Sequence, residues 1–141
     1  DRFRMRVEGM RGVTLDALTI DLYTGRADCL KCGAAPGYLR AGGSVTTLSG
    51  ETLPVGLMES AEEAQPVPLR MMHGDVFVML SDGVSDGLDN AWVKHILVDH
   101  AGDSPKELAA RLVMAASEKG AADDLTALVV RLERRKIASA A

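Results

Sequence analysis

The stretch MLSDGVSDGLDN, residues 79–90, places Asp82, Asp86 and Asp89 directly after the apolar run 76–80. A second acidic turn, AADDLTALVVRL, sets Asp123 and Asp124 before another apolar run. If those runs are neighbouring antiparallel strands, the end of the first lies beside the start of the second, and the carboxylates meet at one rim of a sheet. Carboxylates held together repel and raise one another's pKa, and a divalent cation relieves that repulsion. Oxygen donors without His or Cys favour a hard ion, Mg²⁺ or Mn²⁺. Simpler readings compete. Asp and Gly are ordinary turn residues, and Asp89 suits a helix cap. An EF-hand fails on spacing, because counting from Asp82 puts Val84 at the third loop position and Val93 at the twelfth, where a calcium loop needs acids. Asp99 and Asp103 fit a solvated helix face and a loop. His73, His95 and His100 are scattered, one in a turn and two on a helix in the wrong phase to share a metal.

The elements that must position these groups are visible in the pattern. Residues 13–23 alternate as a strand with one buried face. TGRA turns it at Gly25, residues 26–32 return as a hairpin partner, and GAAPG (33–37) breaks the pattern. YLRAGGSVTTL reads as a second hairpin about Gly42 and Gly43. ESAEEAQ (59–65) is an acidic surface loop. VPLRMM is a short strand, and HGD turns it into VFVMLSDG, apolar enough to be covered on both faces. Two helices come late. NAWVKHILVDHAG presents Trp92, Val93, Ile96 and Leu97 on one face, with Asp89 or Asn90 as N-cap. SPKELAARLVMAASEKG carries a capping box, Ser104 with Glu107, and Pro105 at its first position. Its buried stripe is Leu108, Leu112, Ala115 and Ala116, and Gly120 stops it. The final strand follows the acidic turn. Strands, two helices and a last strand predict an α+β fold, antiparallel sheets covered by helices.

Bulk properties fit one domain or a large piece of one. The chain has 141 residues, 47% hydrophobic and 26% charged, with aromatics at 4%, so the core is aliphatic. A net charge of −4 without a long basic run argues against nucleic acid or an anionic membrane as partner. Residues 1–12 form a segment of uncertain order, and the basic cluster ERRK opens a solvated tail, 133–141. No stretch is long and apolar enough to span a bilayer, and no signal peptide is visible. The start at Asp1 in place of Met reads as a fragment or a processed chain. Cys29 and Cys32 are three apart in a strand, about 10 Å, and point to opposite faces. They read as ordinary reduced thiols, since zinc needs about four ligands. A cytoplasmic setting fits.

Four stretches in order carry a resemblance. SDGVSDG with ADDLTALVVRL resembles the C-terminal half of the type 2C (PPM) metal-dependent serine/threonine protein phosphatases. There an apolar strand ends in Asp-Gly and, some forty residues on, an Asp-Asp/Asn-x-Thr/Ser motif opens a strand of Val and Leu. DLYTGRADCLKCGAAPGYLR (21–40) and LPVGL (53–57) look like the bacterial stage II sporulation protein E branch. Related stress-response phosphatases usually carry Gly-His where this chain has CGAAP. The likeness runs over about residues 13–132.

The resemblance implies a partial PPM-type α/β/β/α sandwich lacking its N-terminal part. It implies that Asp82 and Asp123 are ligands of a binuclear Mn²⁺ or Mg²⁺ centre. Asp86 matches the position that holds a weaker third metal in several relatives. Gly83 lets the backbone approach the site, and Asp124, often Asn in the family, supports it. Two metals would share a water, lower its pKa and align it for in-line attack on a phosphoserine or phosphothreonine. The implied partner is a phosphorylated anti-sigma-factor-antagonist-type protein, and a homodimer is left open. The parent could be anchored in the cell membrane. The family's other metal aspartate pair lies further toward the N-terminus and has no counterpart before residue 13, while Asp16 and Asp21 sit inside a strand without Asp-Gly context. The expectation is that the fragment alone is inactive. The competing reading is a phosphatase-like binding or dimerisation module without catalysis. An unrelated hydrolase with an acidic metal site would require the motif order to be chance.

Overall fold

The computed structural model describes residues 12–50, 52–57, 60, 64–85 and 90–135. Among these residues, seven strands and three helices follow in order: β1 (Leu15–Ile20), β2 (Arg26–Cys32), β3 (Gly37–Ala41), β4 (Ser44–Leu48), β5 (Val67–Arg70), β6 (Val76–Leu80), α1 (Asp82–Ser85), α2 (Ala91–Asp99), α3 (Pro105–Glu118) and β7 (Ala127–Arg131). The strands form two antiparallel sheets, β1-β2-β5 and β4-β3-β6-β7. The expected α+β class holds.

Hairpin chemistry sets the register of the first sheet. The Asp21 carboxylate accepts from the backbone N–H groups of Tyr23 and Thr24, and Gly25 takes φ +72°. That Asx turn fixes the pairing of Ile20 with Ala27 through Leu15 with Cys32. The second hairpin turns on Gly42 and Gly43, both at positive φ, as a two-residue loop with a right-handed strand twist demands. β1 is shorter than the expected 13–23 and only half-buried, because it is an edge strand with β2 as its single neighbour. Val13 makes an isolated bridge to Val55. The run expected as a strand through Gly83 stops at Leu80. Ser81 still bonds to Thr126, but Val84 N–H turns back onto the Ser81 carbonyl and α1 begins at Asp82.

Two apolar layers hold these pieces. Between the sheets lie Cys29, Met71 and Phe77, with Leu18, Ile20, Leu39, Leu69 and Met79 against them. Between the four-stranded sheet and the helices lie Tyr38, Val76, Val78, Leu80, Val84, Val93, Leu97, Leu108, Leu112 and Ala116. Alternate residues of β6 serve both layers, so that strand is covered on each side as its composition predicts. Cys29 and Cys32 are both buried and free. Burial pushes the Cys29 thiol up, which keeps it inert. α3 begins as expected: Ser104 caps, Glu107 closes the box and Pro105 follows the cap. Gly120 ends it at φ +85°. α2 is capped by Asn90, whose side chain makes no capping bond. Asp89, the other expected cap, lies outside the described residues, as do residues 59 and 61–63 of the expected acidic loop.

Arg40 ties the helix layer to the sheet. It is buried on β3, and its Nη1 donates to the Leu97 carbonyl at 2.7 Å while Nη2 reaches Ala101 O at 3.5 Å. A cation at the C-terminal end of α2 satisfies carbonyls the helix leaves open and complements its dipole. Burial, and secondarily Arg131, holds its pKa below the usual arginine value. Arg40→Ala removes the stem and orphans those carbonyls. Urea unfolding should show a loss of roughly 2–4 kcal/mol.

The capping box gives a pH signature. The Glu107 carboxylate accepts from Ser104 N–H at 2.7 Å, and this bond holds its pKa below the ordinary 4.5. A depressed folded pKa means that its contribution is complete above 4.5 and fades as pH falls through the folded value. In acid titrations of stability, Glu107→Gln should flatten the limb below that pH and leave neutral pH less affected.

Candidate metal centre

β6 and β7 pair antiparallel, Met79 with Leu128 and Leu80 with Ala127. The end of one therefore lies beside the start of the other, as the two acidic turns require. Ser81 stitches the rim: its N–H donates to Thr126 O, its hydroxyl donates to Asp124 O, and it accepts from Thr126 N–H at 2.9 Å. The first turn of α1 then presses on the Asp123–Asp124 turn. A Cβ built on Gly83 would stand 3.2 Å from the Asp123 Cβ and run into the Asp124 carbonyl oxygen. Glycine is required there by close approach of two backbones.

Asp82, Gly83, Asp123 and Asp124 line one cleft of about 460 Å³. All three carboxylates are exposed to it. One oxygen of Asp123 accepts from Asp124 N–H at 2.8 Å, which orients the side chain and leaves the other oxygen uncommitted by that bond. Asp86 lies outside the described residues.

Asp16 also lines this cleft, although its place inside a strand argued against a role. Its cross-strand partner is Lys31, a lysine with 1% side-chain exposure, whose Nζ pairs with Asp16 Oδ2 at 2.5 Å. Asp16 Oδ1 is buried and makes no hydrogen bond among the described residues. The signal was available in the hairpin arithmetic: the turn at 21–26 puts Asp16 opposite Lys31, and Lys31 shares the inward face of Ala27 and Cys29. The serine of SDG and the threonine of DDLT, Ser81 and Thr126, were likewise in view without an assigned task. The three histidines do not join the cleft. His73 instead accepts the Arg134 N–H at 2.8 Å.

The donors fit a hard divalent cation in kind, being carboxylate and carbonyl oxygens. They do not fit in number: among the described residues, no group of three or more His, Cys, Asp or Glu is placed to hold a metal ion. Asp82 and Asp123 share a cleft but do not by themselves make a centre.

Comparison with known proteins bears on the chain's family and fold. The chain is 28% identical over 128 residues to stage II sporulation protein E of Bacillus subtilis (strain 168), covering 85% of this chain and 15% of that protein. The solved phosphatase domain of the same Bacillus subtilis protein superposes with a TM-score of 0.72 at 27% identity, over 88% of this chain and 57% of that one. The catalytic domain of the serine/threonine phosphatase PstP, solved in complex with two manganese ions, superposes with a TM-score of 0.69 over 87% of this chain and 60% of that one. At 21% identity, that likeness speaks to the fold alone. The chain thus spans a small part of the curated relative and a little over half of the solved domains, and its antiparallel sheets under helices are those of type 2C phosphatase domains. The model of the stage II sporulation protein E family matches residues 1–133, and the chain belongs to that family.

Proposed function

We propose that this chain is the C-terminal portion of a Mn²⁺- or Mg²⁺-dependent protein serine/threonine phosphatase. Its substrate class is a phosphoserine or phosphothreonine on a cytoplasmic regulatory protein of the anti-sigma-factor-antagonist kind. The observation that carries the reading is the convergence of Asp82 and Asp123 on one cleft, with Gly83 wedged against the second acidic turn. Family membership supports it. Asp82 and Asp123 supply this segment's share of the donors, Asp86 is a further candidate, and Gly83 and Asp124 shape the rim. Divalent ions held there would supply charge neutralisation and an activated water for phosphoryl transfer. The chain's own task is to bring two carboxylates to one rim: the Ser81 bonds join the two turns that carry them, and the Asp124 N–H orients the Asp123 side chain.

For the isolated chain, the shortage of donors favours the second reading, a phosphatase-like module without turnover. Phosphate release from a phosphoserine protein, with and without Mn²⁺, separates the two. The chain alone should bind Mn²⁺ weakly and turn over little. The parent carrying the N-terminal half should be active. In that parent Asp82→Asn and Asp123→Asn should each lower the rate by about a hundredfold or more, a few kcal/mol of lost positioning and charge stabilisation. Asp86→Ala should cost less. Gly83→Ala, which removes no carboxylate but pushes apart the two turns that carry them, should also lower activity. Robust metal-dependent turnover by the 141-residue chain would overturn the half-site reading, and a fully active Asp82→Asn parent would overturn the role of that residue.

A further inference from the structure

A second groove, of about 850 Å³, lies at the opposite end of the sandwich. β6 runs from it toward the acidic cleft and β7 runs back, so the two are separated by a five-residue strand, on the order of 15 Å. Three segments build the groove: the β1–β2 turn, the β5–β6 turn and the residues after β7. They are bonded to one another. Met71 N–H donates to Gly25 O, Gly74 N–H to Leu132 O, and Arg134 N–H to His73 Nδ1, each at 2.8 Å. The groove is thus formed before anything binds, which lowers the ordering cost of association.

Its surface combines apolar side chains left in water with unpaired cations. Leu22 is 77% exposed, Met72 66%, and Tyr23 completely so. Arg70, Arg134 and Arg135 line the same groove and have no ion-pair partner among the described residues. Nearby acids are already engaged: Asp21 accepts from two backbone N–H groups, and Glu133 pairs with Arg131 at 2.7 Å. Arg70 also stands directly across from Arg26 in the β2–β5 register, a like-charge pair that costs stability. Tyr, Met and Arg are residue types enriched where proteins dock. An uncompensated cluster of arginines on a chain of net charge −4 calls for an anionic occupant.

We propose that this groove docks an acidic segment of a partner protein, one that carries an apolar side chain as its anchor between Tyr23 and Met72. Arginine forks match carboxylates in two-bond geometry. A concave surface on a net-negative chain suits a peptide better than an anionic bilayer. Because the groove and the acidic cleft are at opposite ends, the segment can bind while the cleft stays open. This inference stands apart from the phosphatase reading.

The test uses the 141-residue chain and a fluorescein-labelled peptide alternating glutamate with leucine. A peptide with glutamine for glutamate and vesicles of phosphatidylcholine with phosphatidylserine are the comparisons. The acidic peptide should bind, more weakly as salt rises, and its amide-shift changes should cluster at residues 22–25, 70–73 and 132–135. Arg70→Glu combined with Arg134→Glu should weaken it by about tenfold or more, and Tyr23→Ala by severalfold. Both changes are on exposed side chains, and the shift map on the unaltered chain needs no variant. No binding, equal binding of the glutamine peptide, shifts centred on the acidic cleft, or vesicle binding in place of peptide binding would overturn the proposal.

Discussion

The antiparallel pairing of β6 with β7 is the constraint from which the rest follows. Five residues of β6 present Val76, Val78 and Leu80 to the helices, and Phe77 and Met79 to the second sheet. One strand is therefore shared by both apolar layers and cannot shift by a residue without exchanging them. The same register brings Ser81 onto Thr126 and Asp124, and so sets Asp82 against the 123–124 turn. At the other end it brings Leu132 under Gly74 and aligns the wall of the basic groove. Packing and chemistry are consequences of one alignment.

The two buried cations, Arg40 and Lys31, are managed differently. Among the described residues Arg40 has no carboxylate partner and uses carbonyls at and just past the end of α2, so its charge meets partial negative ends that the fold must satisfy anyway. Lys31 has a carboxylate opposite it on β1, and the pair lies between the sheets next to the cleft. A buried pair adds little net stability, since desolvation offsets attraction, but removing one member leaves an unbalanced charge. The pair ties the cleft-lining end of an edge strand to β2, where backbone bonds come from one side only.

How much of this was legible in the sequence depended on how local each signal was. The α3 capping box, the Gly42–Gly43 turn and the Gly120 stop are decided by neighbouring residues, and the structure has them where the pattern puts them. Two apolar runs flanked by acids were enough to expect a shared rim, because antiparallel pairing leaves one way to join them. Asp16 was missed because alternation treats a charged strand residue as outward-facing, whereas a cross-strand lysine lets it face inward. The strand pattern over 13–23 exceeds β1 at both ends because alternation says nothing about whether a strand has one neighbour or two. Asp86, expected at the site, and Asp89, expected as a helix cap, both lie outside the described residues.

The division between the two layers explains how a segment covering 57% of a solved domain can keep the fold although its described residues place no group of three or more His, Cys, Asp or Glu to hold a metal ion. The helix-side layer is closed by β3, β6, α2 and α3, whose buried Val93, Leu97, Leu108 and Leu112 all come from this segment. On the outer face of the three-stranded sheet Leu15 is 43% exposed, while Cys32 across from it is buried. The acidic cleft lies at the end of the sandwich, with lining residues from both sheets, Asp16 from one and Asp82 and Asp123 from the strand ends of the other. Core completeness is a property of one layer, whereas a coordination shell at the end of two sheets draws on everything that meets there. The segment's apolar residues can therefore satisfy one another while its described carboxylates form no group of three.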